Sequence, residues 1–123
     1  MFDRELVLNS LQQVQTLINT IMERTAGIVD VDGFYDTPSG MVLLDAICMN
    51  LTALGEATKN LDKVSNGELL SRYPQIQWDG IMRMRDKIAH HYFEVDADVV
   101  LLTVKEDIPQ VQTIVAQIVK DIS

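Results

Sequence analysis

A single cysteine, Cys48, stands among the 123 residues, so no intrachain disulfide forms and a disulfide-braced scaffold is excluded. Such use of cysteine suits a reducing compartment. Long apolar runs are missing as well: stretches such as Met41 to Leu44 and Val99 to Leu102 fall far short of the ~20 residues that a bilayer-spanning helix requires. The opening MFDRELVL is not followed by a signal-type apolar stretch. A soluble, cytoplasmic chain without a membrane partner is the expectation. Positive charge is also scarce, ten Lys plus Arg against eighteen Asp plus Glu and a net of −8. That balance opposes long-range attraction to nucleic acid or to an anionic membrane, so any polyanion has to be met locally. No Gly-rich phosphate loop, nucleophile elbow or dinucleotide fingerprint is present. The two histidines are adjacent and so lie on different helix faces, with Cys48 on another helix, which is not a metal-ligand spacing. Asp30, Asp32 and Asp36 around Gly33 lack the terminal Glu of a calcium loop. No metal and no cofactor are expected.

What is present is apolar periodicity. At 47% hydrophobic residues the chain is large enough for one core and one domain, residues 1–123. Val7, Leu11, Val14, Ile18 and Ile21 alternate steps of four and three, the seam of an amphipathic helix from about residue 4 to residue 26. Asp3 is placed to cap it, and Gly27 to end it in the left-handed conformation. Residues 28–40, with Gly33, Pro38 and Gly40, read as a loop. Thr37 followed by Pro38 then opens a second helix whose stripe, Leu44, Ile47, Leu51, Leu54, Thr58 and Leu61, carries it to residue 61 or 62. Ser65 with Glu68 has capping-box spacing and predicts a short helix before Tyr73-Pro74. A third long helix follows toward His91. Asp96 caps a further one, which Asp107-Ile108-Pro109 kinks or restarts, and Val111, Ile114, Val115, Ile118, Val119 and Ile122 stripe the last. Nothing pairs as strands. The predicted architecture is an all-α, up-and-down bundle of four to five helices.

The chemistry gathers in residues 83–91, RMRDKIAHH, with three permanent cations, one acid and both histidines. On a continuous helix at about 100° per residue, Trp78, Ile81, Arg85, Ile88, Ala89 and Tyr92 share one stripe. Arg85 interrupts an otherwise apolar face, and a desolvated guanidinium needs a carboxylate, a helix end, a phosphate or a wet cleft. A structural salt bridge is the plain reading of a lone arginine. His90 lies about 140° around from Arg85, so one continuous helix does not aim both at one point. Either the helix unwinds at His90-His91, or two copies meet across a symmetry axis. Asp86, four residues before His90, shares its face and is placed to hold the imidazole.

Arg85, His90 and Tyr92 form an Arg-x4-His-x-Tyr pattern, and this resembles the motif of the HEPN superfamily, with surroundings similar to its HepT-type toxins. The block from Trp78 through Phe93, the segment Leu54-Gly55-Glu56-Ala57 and the pair Ile108-Pro109 extend the likeness over essentially the whole chain. The resemblance implies a metal-independent endoribonuclease toxin of a type VII-like toxin-antitoxin module, acting on RNA. It implies an active site shared across a homodimer, or a higher homo-oligomer, and a cognate MntA-type nucleotidyltransferase antitoxin. In that scheme His90 is general base or acid, Arg85 clamps the phosphate, Asp86 supports the histidine, and Tyr92 is the AMPylation site through which the antitoxin silences the toxin. Histidine suits proton transfer with its unperturbed pKa of ~6.5, and a forked guanidinium suits the charge on the phosphoryl oxygens. The acidic composition favours a small or folded RNA over processive cleavage. The competing expectation is a catalytically inactive HEPN partner that only binds substrate for a separate nucleotidyltransferase.

Overall fold

The computed structural model describes residues 2–88 and 95–123. Helix α1 spans Arg4–Thr25, and Asp3 caps it by accepting from the Leu6 amide at 3.2 Å. Its stripe Val7, Leu11, Val14, Ile18 and Ile21 is buried throughout, each such side chain contributing ~1.5–3 kcal/mol relative to exposure. Ala26, not a left-handed Gly27, ends the helix: Ala26 stays right-handed at φ −57°, and the positive-φ residues of the described chain are Asn66 and Gly67.

The expected loop holds one turn of helix, α2 (Asp32–Tyr35). The reason is Phe34, whose ring is fully buried and pins the turn to the core. Gly40 permits the approach, because a Cβ there would lie 2.3 Å from the Gly33 carbonyl oxygen. Helix α3 (Pro38–Val64) begins as expected, with Pro38 in the first turn and Thr37 accepting from the Gly40 amide at 2.9 Å. It runs two to three residues further than its periodicity suggested. Ser65 does not open a new helix. Its hydroxyl donates back to the Leu61 carbonyl, and Asn66 and Gly67, at φ 59° and 70°, form the left-handed exit from α3. Only a 3-10 turn, Leu70–Arg72, precedes Tyr73-Pro74.

The predicted third long helix is two short ones, α4 (Trp78–Met82) and α5 (Met84–Ile88), broken at Arg83. Asp96 caps α6 (Ala97–Leu102), accepting from the Val99 amide at 3.1 Å. A π-helical turn, Thr103–Asp107, then leads into α7 (Ile108–Ile122), the restart anticipated at Pro109.

Side-chain ties set the topology. Asn60 reaches Ser10 while Asn50 accepts from Arg24, so α3 descends as α1 rises. Arg4 donates to the Ile122 carbonyl and Gln112 to Asn19, so α7 is antiparallel to α1 as well. The bundle is all-α and up-and-down, with no strand among the described residues. By length and composition alone α3 is apolar enough to cross a membrane, a property the short uninterrupted runs concealed. Its inward stripe lies in the common core, whereas Met41, Val42 and Met49 on its other side are 52%, 67% and 74% exposed.

Candidate active-site groove

The break at Arg83 decides where the guanidinium of Arg85 goes. Trp78, Ile81, Met84 and Ile88 are the buried residues of this segment. Met84, fully buried, occupies the inward position that a continuous helix assigns to Arg85, and Arg85 is released to solvent. The expected desolvation problem therefore does not arise. Arg85 has no hydrogen bond or ion pair with another described residue, so the structural salt bridge is not its role among them. That part falls instead to Lys87, two residues on, whose ammonium meets Asp107 at 2.7 Å.

What seats α4 and α5 is Gly55, inside the Leu54-Gly55-Glu56-Ala57 segment. A Cβ at Gly55 would stand 2.8 Å from the Ile81 carbonyl oxygen and 3.2 Å from that of Met82. The missing side chain lets the end of α4 rest directly on α3, and α5 then starts beside the helix.

Between α3 and α5 runs an open groove of about 420 Å³. Arg85 and Ile88 form one wall, Asp45, Cys48, Met49 and Thr52 the other, with Val95 at one side. The surface is largely apolar, with Arg85 as its one cation among the described residues and Asp45 opposite. Thr52 turns its hydroxyl back to the Cys48 carbonyl at 2.9 Å, closing its donor off from the groove. Burial pushes the Cys48 thiol up to about 11, with the Asp45 carboxylate adding to the rise, so it rests as a neutral thiol at physiological pH.

Asp86 is exposed and does not line this groove. His90 and Tyr92, with His91 and the family-like Phe93, lie outside the described residues. Of the anticipated site residues the structure therefore positions Arg85 and Asp86 and brings only Arg85 to the groove. The far wall, Asp45, Cys48, Met49 and Thr52, was not anticipated. The signal available for it was the second apolar face of α3, where Met41, Val42 and Met49 fall off the core stripe.

An all-α bundle that presents one arginine, unpaired among the described residues, in an apolar groove, five residues ahead of a His-x-Tyr sequence, has the form of a helical nuclease domain. The chain belongs to the HepT-like family, described as "Ribonuclease HepT-like", which matches residues 8–118. "Putative RNase MJ0127" of Methanocaldococcus jannaschii is 31% identical over 118 residues, 90% of this chain and 91% of the relative. "Probable ribonuclease HepT" of Thermococcus cleftensis is 35% identical over 102 residues, covering 83% and 86%. "Putative RNase TTE0752" of Caldanaerobacter subterraneus subsp. tengcongensis is 34% identical over 110 residues, covering 89% and 88%. No solved structure matches the chain.

Proposed function

We propose that this HepT-family ribonuclease is a metal-independent endoribonuclease, the toxin of a two-component type VII-like module, with its active site formed where two copies meet. The observation that carries the reading is Arg85: exposed, unpaired among the described residues, and lining a groove that opens beside the uncovered apolar face of α3. Asp45 lines the same groove but forms no ion pair with Arg85, so the guanidinium is open to a phosphodiester.

In the proposed reaction His90 takes the proton from a ribose 2′-hydroxyl as its oxygen attacks the adjacent phosphorus. Arg85 hydrogen-bonds the phosphoryl oxygens as charge gathers on them, which is where a preorganised cation lowers a barrier most. The P–O5′ bond breaks, the departing oxygen takes a proton from an imidazolium, and a 2′,3′-cyclic phosphate and a 5′-hydroxyl remain. Two copies supply two imidazoles, so base and acid need not be the same histidine. Asp86, four residues before His90 in the sequence, is assigned the support of the histidine. For inhibition, a nucleotidyltransferase antitoxin joins the Tyr92 phenolic oxygen to the α-phosphorus of ATP, releasing pyrophosphate and leaving an adenylyl group whose negative phosphodiester neutralises Arg85 and whose bulk fills the groove.

The test is cleavage of cellular RNA by purified protein in EDTA. Arg85→Ala and His90→Ala are each expected to lower the rate by roughly 100-fold or more, the scale of losing one preorganised charge or one proton-transfer group, with helical content unchanged. Cleavage surviving both substitutions sinks the assignment. Growth arrest on expression without the antitoxin, relieved by His90→Ala, separates an active toxin from a silent scaffold. A mass increase of one or more adenylyl groups on Tyr92 after co-expression with the antitoxin tests the inhibition.

A further inference from the structure

On the other side of α5 from Arg85's groove lies a second, more enclosed cavity of about 240 Å³ between the Gln75–Ile81 segment and the start of α7. It is below the size of drug-like ligand sites, which run from about 300 Å³ upward, and is suited to one flat ring system. Its polar lining is amide: Gln75, Gln77 and Gln110, none of which makes a side-chain hydrogen bond to a described residue. Its apolar lining is Ile76, Ile81 and Val111, all buried beneath the exposed amides. Lys87 also lines it, but its charge is already met by Asp107 at 2.7 Å, and Asp107 ends the π-helical turn, an irregularity often found at functional sites. An unsatisfied phosphate site needs an uncompensated cation, and this cavity offers none among the described residues. Instead it offers paired donors and acceptors over an apolar floor, the complement of a nucleobase edge and face.

The geometry points to this cavity as a nucleobase subsite that reads one base of the RNA on the face of α5 opposite the scissile phosphate. The inference rests on the ribonuclease reading in taking RNA as the source of that base. Arg85 and Lys87, two residues apart on α5, point about 200° apart around a helix about 10–12 Å across, so a strand that meets both passes around this single turn, and the base read lies some nucleotides from the clamped phosphate. The subsite also answers the charge problem. A chain of net −8 gains little from phosphate contacts, and a pocket whose two charges, Lys87 and Asp107, are paired with each other supplies affinity and sequence preference where cations are few.

The experiment is an NMR titration of the intact wild-type protein with the four ribonucleoside 5′-monophosphates, with ribose 5-phosphate as the phosphate control. The side-chain amides of Gln75, Gln77 and Gln110 and the methyls of Ile76 and Val111 are expected to shift, with one base binding at least fivefold more tightly than the weakest. Gly80→Met is the blocking variant. Gly80 lines the cavity, and an added Cβ there meets no atom within 4 Å, so the fold tolerates the side chain while the mouth is filled; base-dependent shifts are expected to vanish in it. Gln110→Leu is expected to level the four affinities to within about twofold. Signals that stay still, that respond equally to ribose 5-phosphate, or that persist unchanged in Gly80→Met overturn the subsite. RNA cleavage is measured separately on the same wild-type protein. A protein that binds one base selectively and cleaves nothing keeps the subsite and loses the nuclease reading, and one that cleaves without base-dependent shifts does the reverse.

Discussion

A thiol and a guanidinium line the same α3–α5 groove, Arg85 exposed and Cys48 half-buried. Cys48 is held neutral by burial and by Asp45. A thiol pushed up to about 11 from an ordinary value of 9.0 carries about a hundredfold less thiolate at neutral pH. Its higher intrinsic nucleophilicity recovers part of that deficit. Iodoacetamide is therefore expected to alkylate Cys48 at pH 7.5 at least fivefold more slowly than it alkylates glutathione, with the rate rising steadily as pH passes 9 and 10. A rate equal to that of the free thiol contradicts the burial. At Arg85 the expectation concerns shape as well as charge. Arg85→Lys keeps the cation but loses the planar fork, so cleavage is expected to stay at least tenfold below wild type while remaining above Arg85→Ala. Equal rates for wild type and Arg85→Lys mean that charge alone is used.

Among the elements, the joint between α4 and α5 matters most, because it turns Met84 inward and Arg85 outward. Its support is the bare Cα of Gly55 against the carbonyls of Ile81 and Met82. Gly55→Val forces those carbonyls away and is expected to cost about 1–3 kcal/mol by overpacking, read as a lower urea midpoint, together with reduced cleavage as Arg85 shifts. Gly80→Ala is the control. It adds a methyl to open space in α4 and is expected to leave stability equal or raise it by about 0.5–1 kcal/mol, the helix-propensity difference. Should Gly55→Val unfold at the wild-type midpoint, the close contact is not what seats α4. These two glycines also mark the limit of what the sequence shows. Helix starts were legible because Asp3, Thr37-Pro38 and Asp96 act on amides within three residues, and the core stripe was legible because periodicity is local. The break at Arg83 was not, since its cause sits on another helix. Continuing the wheel through it put Arg85 on the apolar face and left its true groove partners unseen. The Ser65 expectation failed for a different reason: the Ser65-Glu68 spacing of a helix start equally fits a chain that leaves α3 through Asn66 and Gly67 in the left-handed conformation. Phe34 shows the same limit, since a buried ring overrode the Gly and Pro punctuation around it.

At the scale of the whole molecule, α3 carries two apolar faces in a protein of net −8. The first closes the bundle. The second, Met41, Val42 and Met49, continues into the Arg85 groove and leaves large side chains half to three-quarters exposed. Exposed apolar side chains of this size, here with the exposed Asp45 among them, suit a contact between copies, and a two-fold axis there would place two α5 turns near one another. Val42 separates assembly from chemistry, because it sits on the exposed face but does not line the groove. In an isolated chain Val42→Glu changes an exposed position and alters stability by no more than about 0.5 kcal/mol. If copies pair through this face, the same substitution buries a carboxylate in the contact, at a cost of several kcal/mol per ion. The expected result is a dimer by light scattering for the wild type at micromolar concentration, a monomer for Val42→Glu with an unchanged helical spectrum, and RNA cleavage lost with the dimer although Arg85 and His90 are intact. A Val42→Glu monomer that cleaves at the wild-type rate removes the shared site and leaves each chain with a complete one; a Val42→Glu dimer moves the contact to another face.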